Sequence, residues 1–129
     1  MQTATLLLPY GQHPHDDQGV TTVQHLSWST AQVLAWQHRV AALVGSMSAH
    51  VPVTLEHTEQ PLGYLHSLTP TAAGLSLTLH LTYRGWEQLL LRRSISPVWD
   101  CLALGQHAYP YRIRAIGITA SPRIPNSYP

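Results

Sequence analysis

Charge is what this chain has least of. Only 10% of its 129 residues are Asp, Glu, Lys or Arg, and the net charge is +1 with histidine neutral. Ordinary globular domains carry about 25%. Solubility must therefore rest on Ser, Thr, Gln and His, or on a partner covering part of the surface. The near-zero balance and the lack of a Lys/Arg stripe exclude the electrostatic footprint of a nucleic-acid binder. The sole basic cluster is Arg92, Arg93, Arg112 and Arg114. Cysteine is almost absent: Cys101 alone excludes an internal disulfide framework and fits a reducing compartment. With Leu102 and Leu104 beside it, Cys101 is expected as a buried, unreactive thiol. No apolar run is long enough to span a bilayer, so no membrane partner is expected, and residues 1–11 lack the charged start of a signal peptide. Internal repeats and low-complexity tracts are missing too.

What remains is one domain, placed at residues 1–120, long enough for a real core and followed by a proline-rich tail at 121–129. Residues 3–10 are strand-like and 12–19 carry turn chemistry throughout. Residues 20–26 make a short strand or loop. Residues 27–44 form the best helix, with Ser29 and Gln32 in a capping-box pattern and Gly45 at its end. Val33, Trp36, Val40, Leu43 and Val44 recur at helical spacing and are expected to be its buried stripe, leaving His38 and Arg39 solvated. Residues 51–56 alternate as a half-buried strand with His57 at its end. Residues 62–68 and 75–82 read as a hairpin. Residues 83–91 read as a short helix burying Trp86, Leu89 and Leu90. A strand through Ser96, a turn near 105–110 and a last strand at 112–119 complete the order. The expected class is mainly β with flanking helices (α+β), closed or partly closed as an antiparallel barrel.

The stretch from Leu91 to Asp100 holds the chemistry. Ile95 and Val98 are apolar, Ser94 and Ser96 small and hydroxylated, and Pro97 cannot donate a ladder hydrogen bond. The strand must therefore lie at an edge or bend there. A small hydroxyl residue at such a break can present its side chain to a cleft instead of burying it. A serine hydroxyl becomes a nucleophile only when a base, usually histidine, takes its proton. Of nine histidines, His57 is best placed, at a strand end beside Glu56 and Glu59. His80, on the polar face of a strand, reads equally well as a surface residue, and most of the rest lie on loops or solvated faces. His13, His15, Asp16 and Asp17 lack a second ligand pair of fixed spacing, so no metal or other cofactor is expected.

Several segments, taken in order, resemble the capsid-maturation proteases of tailed phages. They are VPVTLEHTE (51–59), GYLHSL (63–68), GLSLTLHLT (74–82), RRSISPVW (92–99) and AIGITASPRIP (115–125). The likeness is to the Mu-like branch of the prohead proteases, related to herpesvirus assemblins, and covers essentially the whole chain. It implies a β-barrel flanked by helices and a serine endopeptidase acting in the host cytoplasm inside the assembling procapsid. Ser96 matches the nucleophile and His57 the general base. Scaffold protein and major capsid protein are the implied substrates, the chain itself a further one, and a homodimer or higher oligomer the implied assembly. Two departures stand out. Ala115 occupies the place where relatives carry a third acidic or histidine residue, and Gly-Ile-Thr-Ala-Ser-Pro replaces a motif with two asparagines. Glu56, Asp100 and His107 are then the candidates for a third member. Arg93 and Arg114, with Arg92, are candidates for stabilising an oxyanion or holding substrate. Trp99 is read as core or as a subsite wall. The alternative reading is a catalytically degenerate capsid-assembly or binding module on the same fold.

Overall fold

The computed structural model describes residues 1–58 and 60–129, without the side chain of Asp17. Its frame is one eight-stranded sheet: β1 (Gln2–Pro9), β2 (Gly11–Asp17), β3 (Val20–Leu26), β4 (Pro52–Leu55), β5 (Pro61–Pro70), β6 (Gly74–Leu81), β7 (Ser94–Leu104) and β8 (His107–Thr119). Helix α1 (Trp28–Leu43) follows β3, and α2 (Tyr83–Arg92) joins β6 to β7. The strand order is β1-β6-β5-β4-β8-β3-β2, with β7 on the other edge of β8. Leucines of β6 show why the strands pack as they do. Leu75, Leu77, Leu79 and Leu81 are all fully buried, against Leu6 and Leu8 of β1 and Ile116 and Ile118 of β8 in one core.

The mainly β, α+β class is what the structure has; where a closed or partly closed antiparallel barrel was expected, the sheet is mixed and not closed. Its ends, β1 and β2, do not pair. Strand β8 takes β4 and β3 as parallel neighbours along one edge. The physical reason is helix α1, which carries the chain over from β3 to β4 so that both run in the same direction. Residues 12–19 also depart from expectation. They form β2 and its turn, because Gln18 and Gly19 both have positive φ (52° and 83°) and close a two-residue hairpin onto β3. A polar strand is tolerated there because β2 is an edge.

Helix α1 is present but rotated from its expected face. Ser27, not Ser29, is the N-cap, in a capping box with Thr30. Ala31, Leu34, Ala35, His38 and Ala41 are buried, whereas Trp36 is 61% and Leu43 79% exposed. The helix packs on β5 and β8, and its small residues let the backbone come close. The larger apolar side chains are left outside. In α2, Leu89 is buried and Leu90 is exposed. Residues 121–129 are no free tail: Ile124 is 2% exposed and belongs to the core. Among the described residues no helix is long and apolar enough to cross a membrane.

Candidate active site

Strand β4 delivers His57. After Leu55 the chain turns through Glu56 and His57, both left-handed (φ 48° and 62°). Such backbone is uncommon for non-glycine residues. Two hydrogen bonds hold it: Thr58 N–H to the Leu55 carbonyl and Glu56 N–H to the Ile118 carbonyl, each 2.9 Å. The turn folds the imidazole back onto β8, where it lies on Gly117. A β-carbon built there would stand 2.6 Å from Cε1, 2.8 Å from Nδ1 and 2.9 Å from Nε2. Only glycine leaves that space.

Gly117 is the directly paired residue of Ser96 on β7 and of Thr54 on β4. Ile95, Ile116 and Ile118 point into the core, so by strand alternation Ser96, Gly117 and Thr54 share the opposite face. Side chains directly opposed across an antiparallel pair have β-carbons about 5 Å apart. The His57 ring therefore fills the side-chain place beside Ser96. The structure brings these two together from 39 positions apart in sequence. No hydrogen bond joins them among the described residues, and Ser96 is 3% exposed while His57 is exposed to solvent.

The His57 pKa lies below the usual 6.5. Loss of water around the ring is the larger cause, which fits a ring laid flat on Gly117, and the Arg123 guanidinium is the smaller. A neutral imidazole keeps a lone pair for a serine proton at pH 7.

The other candidates are held elsewhere. The Glu56 carboxylate accepts from Arg92 at 2.8 Å. Asp100 accepts from Arg112 Nε at 2.8 Å and from Arg114 at 3.5 Å. A ring nitrogen of His107 meets one of His25 at 2.8 Å. None of the three hydrogen-bonds to His57, and Glu59 lies outside the described residues. Arg93 is the left-handed C-cap of α2 and donates to the Tyr128 carbonyl. The cation whose charge bears on His57 is Arg123. Gly117 and Arg123 were missed from sequence, although a glycine between two isoleucines in a strand marks a close approach of another group.

A cleft of about 130 Å³ opens between β2 and β7, with Pro97 (the residue after Ser96), Trp99, Gln24, Arg123 and Ile124 among its lining residues and Ser96 not among them. Gln24 Oε1 accepts from Trp99 Nε1 at 2.8 Å and from the Cys101 thiol at 3.4 Å. Trp99 is thus a fixed wall of this cleft. Cys101 is half-buried, and desolvation, then the Asp100 charge, raise its pKa, which keeps the thiol protonated. Among the described residues no group of three or more His, Cys, Asp or Glu stands ready for a metal, and His13 and His15 lie side by side on one face of β2. Comparison of the chain with protein-family models, curated proteins and solved structures returned no match.

Proposed function

We propose that this chain is a serine endopeptidase of the tailed-phage prohead type, with Ser96 as nucleophile and His57 as general base. The observation that carries the reading is the place of the His57 ring over Gly117, directly across the β7–β8 pair from Ser96. In the reaction His57 takes the Ser96 proton as Oγ attacks a peptide carbonyl, then returns it to the leaving amine. Water repeats the cycle on the acyl-enzyme. Among the described residues no acid bonds to the ring, so the site is read as a dyad, and the lowered His57 pKa keeps the base free at neutral pH. Arg123 is the cation whose charge bears on the His57 ring, while Arg93 is engaged with Tyr128 and Arg114 with Asp100, which makes Arg123 the better cation for a developing oxyanion. Substrates are the scaffold and coat precursors inside the procapsid, as the motif order 51–59, 92–99 and 115–125 suggests.

Cleavage of a scaffold or coat precursor by wild type, Ser96→Ala and His57→Ala tests this. Both substitutions should lower the rate by roughly 10³-fold or more. Cleavage that persists in Ser96→Ala removes Ser96 as nucleophile. A second reading, a degenerate assembly module on the same fold, draws on the 3% exposure of Ser96. Covalent modification of Ser96 by a fluorophosphonate would exclude that module.

A further inference from the structure

A nucleophile that is 3% exposed cannot meet a peptide unless something beside it moves. The segment that lies beside it is 121–129, and its contacts have a register. The Ile95 N–H donates to Asn126 Oδ1 at 3.0 Å, and Asn126 Nδ2 returns a bond to the Ile95 carbonyl at 2.8 Å. Ser94 Oγ donates to the Asn126 carbonyl at 2.7 Å, and Tyr128 N–H donates to the Arg93 carbonyl at 2.6 Å. Residue 126 opposite 95 and 128 opposite 93 define an antiparallel course along the edge of β7 that β8 leaves open. Continued by one and two residues, it sets Pro125 opposite Ser96 and Ile124 opposite Pro97. The cleft agrees independently, since Pro97 and Ile124 line it together.

We infer that the outer edge of β7 is the site where an extended peptide substrate adds as an antiparallel strand, and that residues 123–128 are the chain's own occupant of it. Edge-strand addition is a common way to bind an extended peptide, with main-chain bonds for affinity and alternate side chains for selectivity. The inference rests on the reading of Ser96 and His57 as a hydrolytic pair. Three features make the segment a holder of the place and not a permanent strand. Pro122 and Pro125 offer no N–H to a ladder. The bonds to Ile95 come from the Asn126 side chain and not from backbone. No strand pairing is formed by residues 121–129. The Ile124 socket marks the class of substrate, an extended peptide with an aliphatic side chain entering beside Pro97.

The test uses the full chain with Asn126→Ala and Tyr128→Ala together, which removes the Asn126 amide bonds to Ile95 and the packing of the Tyr128 ring on Trp86 and Arg93, and so loosens the segment on the β7 edge. Two readouts are taken, and a circular-dichroism melt checks that the variant is folded. If the double change leaves no cooperative melt, Asn126→Ala alone, which removes the amide bonds to Ile95 and keeps the Tyr128 ring, takes its place. First, a fluorescein-labelled peptide of residues 121–129 is titrated by anisotropy in a Ser96→Ala background, where no chemistry occurs. The loosened variant should bind it at least tenfold more tightly than the unaltered segment allows, and an Ile124→Asp peptide should not bind. Second, a fluorophosphonate should label Ser96 at least tenfold faster in the loosened variant, and the free peptide should slow it again. Equal peptide binding by both proteins overturns the strand site whatever the labelling shows. Peptide binding without any labelling keeps the strand site and overturns the hydrolytic reading.

Discussion

The imidazole of His57 lies on the α-carbon of Gly117, with three ring atoms 2.6–2.9 Å from where a β-carbon would stand. That contact makes a pair out of His57 and Ser96, because Gly117 is the cross-strand neighbour of Ser96. The left-handed turn at Glu56 and His57 aims the ring, and the missing side chain on β8 admits it.

Gly117→Ala should therefore act on the ring before it acts on the fold. A methyl group at that distance forces the imidazole away, and the left-handed turn behind it offers a cheap direction of escape. A shift of about 1 Å in a catalytic group can cost roughly 10²-fold in rate. We expect precursor cleavage or Ser96 labelling to fall by about that factor while the melting temperature moves by only a few degrees. Unaltered activity in a folded Gly117→Ala protein would show that the ring position is irrelevant.

The pH profile carries the sign of the electrostatics. His57 must be neutral to accept the serine proton, so activity should rise with pH through its pKa and level off above. Desolvation and Arg123 place that pKa below 6.5, so the acid limb should fall below 6.5. Removing a nearby cation makes protonation easier. Arg123→Gln should therefore move the limb to higher pH, and a pH–rate series on both proteins measures it. A flat profile between pH 5 and 8 would be incompatible with His57 as the base.

The places of Ser96 and His57 within their strands were legible in the sequence, and what surrounds them was not. Ser96 stood out because Pro97 interrupts the ladder beside it, and His57 because a strand of alternating residues stops there. Both are facts of neighbouring residues. Gly117 and Arg123 become meaningful only when β4, β7 and the 121–129 segment meet, which no local pattern encodes. Helix α1 misled for a related reason. Periodicity reports that a helix has an apolar stripe but not which of two stripes the sheet will take. Ala31, Leu34, Ala35 and Ala41 won over Val33, Trp36 and Leu43 because close approach to β5 and β8 needs small side chains. The sheet is mixed and not wholly antiparallel because of connectivity. A helix between β3 and β4 makes them parallel neighbours of β8, a long-range pairing.

The choice of stripe can be tested by two matched truncations. Leu34 is fully buried and Leu43 is 79% exposed. Leu34→Ala should cost about 2–5 kcal/mol in a urea unfolding series. Leu43→Ala should stay within about 0.5 kcal/mol. The reverse ranking would mean that the helix buries the Val33–Trp36–Leu43 side after all.

His38 offers the last test, because it is buried on the stripe that a solvated histidine should avoid. It is 9% exposed, and its Nε2 has no hydrogen-bond partner among the described residues. Its pKa lies below 6.5, with burial the main cause, a backbone bond to Ala49 opposing it and His66 adding to it. The unfolded chain therefore binds the proton more readily than the folded one. The stabilising contribution is complete above about pH 6.5 and is lost as pH falls from there toward the folded-state pKa. His57 contributes in the same direction, since its pKa is lowered too. His38→Leu removes both the unpaired acceptor and the proton site. It should raise stability by about 1–2 kcal/mol at pH 7.5, the usual cost of a buried unsatisfied group. Its advantage over wild type should grow at pH 5.5, where wild type alone pays for keeping His38 neutral. Thermal melts of both proteins at the two pH values measure this. An advantage that shrinks toward acid pH would mean that His38 is protonated in the folded state.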